Sequence, residues 1–237
     1  MVREVSSELI AQCVYDLVLK ASYFIGDDVK SAISTAVNTE ITDTVKNVLT
    51  QLSQNYEIAA SEKIAICQDC GMCVIFADIG QDVHISGEYF ETAVNFAVER
   101  AYNDGHLRKS IVFDPVYDRK NTGTNTPCVL HTRIVPGNKI HLLVILKGFG
   151  SENMSKVEML APADGENGII DFVVDTAVSA GPNPCPPIIV GVGIGGSFEQ
   201  AAINAKLMTA RRVGSHNADP RYADLEEKYL TKSTYPE

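Results

Sequence analysis

The spacing of apolar residues changes once along the chain, near Cys67, and this change constrains the fold more than any other feature. Before it, apolar residues such as Ile10 and Val14 recur with a helical period. After it, the first apolar run is typical of a β-strand. We therefore expect a mixed α/β (α+β) fold in which a helical N-terminal segment, residues 1–60, leads into a mixed sheet with flanking helices. Residues 61–237 are expected to form that α/β body as one integrated domain.

The rest of the chain alternates β-rich runs with helical patterns. Residues 127–135 and 139–147 are β-rich and are separated by Pro136-Gly137-Asn138, which is turn chemistry, so they predict a β-hairpin. Helices are predicted over about 88–104, 166–180 and 198–211, and a strand is predicted over 188–192. A last amphipathic pattern at 222–230 has nothing after it to pack against, so we expect a chain truncated at its C-terminus.

Charge and cysteine content narrow the function classes. The 237 residues carry a formal net charge of −10 at pH 7, which disfavours nucleic acid and anionic membranes as partners. No apolar run approaches the roughly 18–20 residues of a membrane span, and the acidic start of the chain is unlike a signal or transit peptide. Six cysteines are too few for a disulfide scaffold of this length. We expect a cytoplasmic protein whose thiols stay reduced.

Closely spaced cysteines are the strongest candidates for chemistry. Cys67, Cys70 and Cys73 form a Cys-x2-Cys-x2-Cys run, and iron–sulfur clusters are held mainly by thiolates that point at one centre. A fourth thiol, Cys185, lies among prolines that keep its loop out of a helix. Burial as small apolar residues explains the spacing equally well, because free cysteine is among the most buried residue types. Spacing alone leaves both interpretations open.

Gln68 and Asp69 follow Cys67 directly, so an amide and a carboxylate would lie near any metal bound there. A proton-transfer group beside a Lewis acid is the minimum for a dehydration. A carboxylate at this position could equally cap the backbone of its own loop. The sequence does not decide between these two roles.

Basic and glycine-rich loops give a weaker indication of an anionic ligand. Arg108 and the segments 118–123 and 147–151 could bind a carboxylate through guanidinium groups or backbone amides. Solvated surface charge is the simpler explanation for any one of them. The glycine cluster at 191–196 indicates an anion-binding or tightly packed helix start, because no second strand ends in the acidic residue that a dinucleotide site needs.

Several separate motifs occur together in the order expected for one enzyme family, over about residues 2–230. They are Ile66-Cys67-Gln68-Asp69-Cys70-Gly71-Met72, Gly80-Gln81-Asp82-Val83, Arg119-Lys120-Asn121-Thr122-Gly123-Thr124-Asn125-Thr126-Pro127, Lys147-Gly148-Phe149-Gly150-Ser151-Glu152-Asn153 and Pro184-Cys185-Pro186-Pro187. With these motifs the chain resembles the alpha subunit of two-subunit class I iron–sulfur fumarate hydratase and L(+)-tartrate dehydratase.

This resemblance implies a hydro-lyase that reversibly hydrates or dehydrates a small dicarboxylic acid, with fumarate/malate or tartrate/oxaloacetate as the pair. It implies a [4Fe-4S] cluster that acts as a Lewis acid, with Cys67 and Cys185 as two ligands and Asp69 as the catalytic proton-transfer residue. The residues implied to bind substrate are Gln68, Arg108, Lys147, Gly148 and Gly150. A beta subunit would complete the site, in a dimer or heterotetramer.

Two positions depart from the family pattern, and the third cluster cysteine of the family lies beyond Glu237. The family usually has threonine at the position of Cys70 and glycine or alanine at that of Phe149. Cys70 or Cys73 is therefore a candidate substitute for the third ligand. Two other functions stay open. One is a redox or electron-transfer protein whose four thiols close a cluster, and the other is a truncated, cluster-free interaction partner.

Overall fold

The computed structural model describes residues 2–234, with side chains as far as Lys232. Along these residues the chain divides between Phe149 and Gly150 into two compact units. The predicted fold class is confirmed, since N-terminal helices precede a mixed sheet that helices flank. The predicted domain boundary near residue 60 stays a prediction.

The first unit contains, in chain order, β1 (Arg3–Ser6), α1 (Ser7–Tyr23), α2 (Asp27–Thr39), α3 (Asp43–Glu62), β2 (Met72–Gly80), β3 (Val83–Ser86), α4 (Phe90–Asp104), β4 (Val129–Val135) and β5 (Ile140–Lys147). The N-terminal segment is helical as predicted, except at its first residues. α1 begins where the Ser6 hydroxyl accepts the Leu9 amide at 3.3 Å. β1 lies where a helix was predicted, and it pairs in parallel with β3. The distant partner makes β1 a strand, and local spacing cannot reveal that partner.

β2 is the central strand of a three-stranded sheet with the order β4-β2-β5. It pairs in parallel with β4 and antiparallel with β5. The predicted β-hairpin is therefore wrong. The two β-rich runs are strands that a short turn connects, but β2 lies between them and they do not pair with each other.

The connection between β4 and β5 crosses the C-terminal end of β2. The Gly80 amide donates to the Lys139 carbonyl at 2.8 Å, and the Asp82 amide donates to the Gly137 carbonyl at 2.9 Å. A Cβ atom at Gly80 would lie 2.5 Å from the Gly137 oxygen, so the connection can approach β2 only where a side chain is lacking.

The hydrophobic core of the first unit lies between the sheet, α1 and α4. The predicted apolar face of α1, which includes Ile10, Val14 and Val18, is buried in it. By length and composition alone, the stretch Ser7–Thr39 could cross a membrane. The structure interrupts that stretch between Tyr23 and Asp27 and packs its first half into the core, which is the arrangement of a core helix.

The second unit begins within α5 (Phe149–Glu152) and contains a 3-10 turn (Pro162–Asp164), α6 (Gly165–Ala180), α7 (Phe198–Met208) and α8 (Pro220–Thr234). The three longer helices confirm the predicted ones. α6 packs against α8, and the Lys228 ammonium pairs with Glu166 at 2.7 Å between them.

The strand predicted over 188–192 is wrong, because no strand of the described part of this unit pairs with it. This segment instead runs along α7. A Cβ atom at Gly191 would lie 2.1 Å from the Ala205 carbonyl oxygen, and one at Gly193 would lie 2.1 Å from that of Ala201. The glycine cluster therefore provides tight packing against a helix, which was one of its two expected roles.

Candidate active site

Three loops meet at one edge of the three-stranded sheet. The cysteine loop, residues 63–71, precedes β2, residues 124–128 precede β4, and Lys147-Gly148 closes β5. Because β2 runs parallel to β4 and antiparallel to β5, the starts of β2 and β4 and the end of β5 share an edge. The pairing of Met72 with Lys147 sets the register at that edge. Topology thus places the first unit's share of the predicted site in one region.

Cys67 is exposed in the middle of the cysteine loop. The Ile66 carbonyl accepts the side-chain amide of Asn55 at 2.8 Å, which holds the loop just before the thiol. The Asp69 amide donates to Cys67 Sγ at 3.4 Å, and the thiol donates to Gln68 Oε1 at 3.4 Å. Amide hydrogen bonds to sulfur are a feature of cluster ligands, so this exposed thiol suits that role.

Asp69 lies against the end of β5. Gly71 has a φ of 64°, and a Cβ atom there would lie 2.0 Å from the Lys147 carbonyl oxygen, so the turn packs directly on the β5 backbone. A Cβ atom at Gly148 would lie 3.0 Å from Asp69 Oδ2 and 3.2 Å from its Cγ. The structure therefore brings together the predicted residues Cys67, Asp69 and Gly148.

Cys70 connects the cysteine loop to the segment that carries Arg108. The Arg108 amide donates to Cys70 Sγ at 3.3 Å, and that thiol donates to the Cys67 carbonyl at 3.5 Å. Burial raises the pKa of the Cys70 thiol, and the Arg108 amide partly offsets this by favouring the thiolate. The Arg108 side chain itself is exposed and can reach an anion from solvent.

A cleft of about 190 Å³ opens at the cysteine loop. Its lining comprises Ala21, Ser22, Ala65, Ile66, Cys67, Asp69, Cys70 and Leu146. The volume is smaller than the roughly 300–1,000 Å³ of sites for drug-sized ligands, so it suits a small substrate. The candidate ligand thiol and the candidate proton-transfer carboxylate both border this cleft.

Cys73 does not belong to the cysteine loop. It is the second residue of β2 and is fully buried in the hydrophobic core. Burial raises the pKa of its thiol well above the ordinary value, and burial raises that of Cys128 to about 11. Cys73 thus packs in the core and not in the cysteine loop beside Cys67, so its surroundings do not favour it as a substitute ligand, and that role stays a prediction. A closed cluster that requires all four thiols loses support for the same reason.

Two predicted site residues belong to the second unit. Gly150 lies within α5. Cys185 is exposed and has a φ of 58°, and its amide donates to the Pro182 carbonyl at 3.1 Å. The thiol thus stands at the surface of a turn, as the surrounding prolines predict.

Sequence reasoning missed two buried polar residues that contact the cysteine loop. The Tyr102 hydroxyl donates to the carbonyls of Cys70 and Gly71 at 3.1 and 3.2 Å. The side-chain amide of Asn125 donates to the Gly71 carbonyl at 3.0 Å. Asn125 stands in one of the motifs, and its left-handed backbone, with φ 58°, is a conformation that asparagine tolerates. Tyr102 lies on the apolar face of a helical pattern and gives no such signal.

Within residues 2–234, no three His, Cys, Asp or Glu side chains lie close enough together to hold a metal ion. The cysteine loop of the first unit offers an exposed thiol, Cys67, with Gln68 and Asp69 beside it. This donor set fits one ligand position of an iron–sulfur cluster with polar groups available to a substrate.

Comparison with known proteins shows the family. A family model described as fumarate hydratase (Fumerase) matches residues 11–235. A protein of Methanocaldococcus jannaschii named "Putative L(+)-tartrate dehydratase subunit alpha" is 34% identical over 228 residues, which are 94% of this chain and 80% of that protein. The L(+)-tartrate dehydratase subunit alpha of Escherichia coli (strain K12) is 30% identical over 202 residues, which are 84% of this chain. The chain spans 66% of the length of that bacterial relative. The motifs and these matches agree: the chain belongs to the fumarate hydratase family of hydro-lyases.

Proposed function

We propose that the chain is the alpha subunit of a hydro-lyase that reversibly adds water to, or removes it from, a small dicarboxylic acid. The observation that carries the proposal is the meeting of Cys67, Asp69 and Gly148 at one sheet edge, beside a small cleft. A ligand thiol, a proton-transfer carboxylate and a glycine backbone are the parts that a metal-assisted dehydration needs from this subunit.

Asp69 is the proposed catalytic residue, which holds or moves the proton at the leaving hydroxyl oxygen. Its carboxylate is set by contact with Gly148, where a Cβ atom would lie only 3.0 Å from Oδ2. Its own backbone amide donates to Cys67 Sγ at 3.4 Å, which holds the Asp69 backbone next to that thiol. A general acid or base must lie within hydrogen-bond reach of its proton, and this packing restricts where that proton can be.

The substrate carboxylates are proposed to bind through two kinds of group. The guanidinium of Arg108 can bind a carboxylate bidentately, and the Lys147 ammonium adds a second positive charge. The backbone amides of Gly148 and Gly150 and the side-chain amide of Gln68 would supply further donors. Glycine at position 148 leaves the space next to the end of β5 to the Asp69 carboxylate.

A [4Fe-4S] cluster, when bound, would supply a Lewis acid with one iron open to the substrate. On the resemblance we propose Cys67 and Cys185 as two of its ligands. Cys70, in the cysteine loop, is a candidate substitute for a third, and its thiol would have to lose a proton that burial now favours.

L(+)-tartrate is the proposed substrate, because the relatives that align over most of this chain are named tartrate dehydratase subunits. Fumarate is the alternative, since the family model carries that name. The word alpha in the relatives' names supports a beta subunit as partner. We propose that the two kinds of subunit assemble as a dimer or a heterotetramer. We propose that the assembly works in the cytoplasm.

The test is an anaerobic preparation of the chain with its beta subunit, with iron and sulfide quantified before each assay. We expect oxaloacetate from L(+)-tartrate, and Asp69→Asn should retain its iron while kcat falls at least about 100-fold. Cys67→Ala should lose both iron and activity. Cys13→Ala is the matched control, because this exposed thiol lies on α1, and it should retain both. A wild-type enzyme with a full complement of iron that turned over neither tartrate nor fumarate would refute the proposal.

A further inference from the structure

We propose that Asn125 is a positioning residue that couples the cysteine loop to the segment that carries Arg108. As far as it concerns catalysis, this inference rests on the proposed function. Asn125 is fully buried and precedes β4, at the sheet edge where the candidate site lies. It touches neither the cleft nor an exposed surface, so its effect must pass through its neighbours.

The Asn125 side chain joins two segments that are distant in sequence. Its Nδ2 donates to the Gly71 carbonyl at 3.0 Å, at the end of the cysteine loop. Its Oδ1 accepts the amides of Ser110 and Ile111 at 2.6 and 3.2 Å, directly after Arg108. The side-chain amide of Asn125 therefore forms hydrogen bonds with three backbone groups, namely two amides of one segment and a carbonyl of the other.

The backbone of Asn125 suits this role. Its φ of 58° lies in the left-handed region, which few residues other than glycine and asparagine adopt readily. The Thr122 hydroxyl accepts the Asn125 amide at 3.2 Å and so supports this conformation. Asparagine is the residue that combines a left-handed backbone with both a donor and an acceptor at the required distance.

Two further contacts hold the same region, and they limit what Asn125 can do alone. Tyr102, from α4, donates to the Cys70 and Gly71 carbonyls, and the Arg108 amide donates to Cys70 Sγ. Tyr102 anchors the cysteine loop to a helix, whereas Asn125 is the side chain that bridges that loop to residues 110–111. Loss of Asn125 should therefore loosen the segment that carries Arg108 relative to the cysteine loop without unfolding the core.

Amide hydrogen exchange on the whole chain tests the coupling independently of activity. Asn125→Gly preserves the left-handed backbone and removes the side-chain amide. We expect exchange to accelerate about tenfold or more in two separate peptides, one covering the cysteine loop and one covering 108–111, because a buried hydrogen bond is lost on each side. Acceleration confined to 110–111, whose amides lose their direct acceptor, would overturn the proposal.

Asn125→Asp is the second variant and is milder. Two backbone amides favour its ionised form, which still accepts from Ser110 and Ile111 but has no proton to donate to Gly71. We expect faster exchange in the cysteine loop and unchanged exchange at 110–111. Unchanged exchange in both segments would overturn the coupling. Asn95→Ala is the control, because its Oδ1 accepts the Cys128 amide at 2.8 Å, and it should leave both segments unchanged.

Steady-state kinetics of the enzyme assembled with its beta subunit test the effect on catalysis. For Asn125→Gly at full iron content we expect KM to rise about tenfold, because a displaced Arg108 binds the substrate carboxylate less well. A purely structural defect would instead lower the active fraction and leave KM unchanged, which would overturn the positioning role. If the wild-type enzyme has no hydro-lyase activity, the proposed function fails, whereas the exchange result still decides whether Asn125 couples the two segments.

Discussion

A single methyl group at Gly148 tests the contact on which the proposed function depends. In Gly148→Ala the new Cβ atom would lie 3.0 Å from Asp69 Oδ2, and 3.2 Å from both Cγ and the carbonyl oxygen of Asp69. Gly148 is not among the residues with a positive φ, so alanine fits its backbone without strain. We therefore expect the substitution to act mainly by displacing Asp69.

The size of the effect follows from these distances. Nonbonded heavy atoms are comfortable at roughly 3.5 Å, so the carboxylate must retreat by about 0.5 Å. A misplacement of about 1 Å can reduce catalysis about 100-fold, and half that displacement predicts roughly a tenfold fall in kcat. Gly-to-Ala changes at compatible positions stabilise by about 0.4–1 kcal/mol, which the new contact offsets. We expect the free energy of unfolding to change by less than about 1 kcal/mol.

The assay is kcat for the assembled enzyme at full iron content, with urea unfolding of the same preparations. The matched comparison repeats Gly148→Ala in an Asp69→Asn background. If the methyl group acts by displacing the carboxylate, the two substitutions together should cost less than the sum of their separate effects on ln kcat. An unchanged kcat, or a tenfold loss that persists in the Asp69→Asn background, would refute the reasoning.

Three further substitutions test other parts of the first unit. Gly80→Ala would place a Cβ atom 2.5 Å from the Gly137 oxygen, so urea denaturation should show a loss of about 1–3 kcal/mol, and an unchanged midpoint would contradict the close approach. Two hydrogen bonds from Arg133, each 2.8 Å long, lower the pKa of Asp78 below the usual aspartate value of 3.8. The pair therefore stabilises the fold fully at pH values above 3.8, and this contribution is lost as the pH falls through the pKa of Asp78 in the folded protein. Asp78→Asn should therefore cost at most about 1 kcal/mol at pH 7, and calorimetry over a pH series should show that difference shrink in acid; a constant difference would count against the ion pair. Cys73→Ser buries a hydroxyl in the core and should lower stability by about 1–3 kcal/mol with iron content unchanged, whereas loss of iron at full stability would make this thiol a ligand.

The errors in the fold prediction share one cause, which is that strand partners lie far away in sequence. Local turn chemistry at 136–138 correctly predicts that the chain reverses, but it cannot show that β2 inserts between β4 and β5. β1 has only four residues, and only its pairing with β3 makes it a strand. The segment 188–192 is apolar like a strand, yet Gly191 and the following Gly193 let this stretch pack on α7 instead. Helices were predicted well because their periodicity is local.

The candidate site was predictable to a similar extent. Motifs identified Cys67 and Asp69, and the structure brings both to one cleft. The run of Cys67, Cys70 and Cys73 was misleading, because spacing does not show that the third thiol already belongs to β2 and points into the core. Asn125 was visible as part of a motif, but its role depends on contacts with Gly71 and Ser110 that only the tertiary structure reveals.

The unexpected strand order also explains how the site can exist. The cysteine loop contacts Gly148, which follows β5, and Asn125, which precedes β4. Only a loop attached to the central strand can neighbour both of these segments. If β4 and β5 formed the predicted hairpin, β2 would be an outer strand of the sheet, and its loop would adjoin only one of these two strands. The connection 136–139 passes around Gly80, at the opposite end of β2, and this arrangement lets the cysteine loop contact both Gly148 and Asn125.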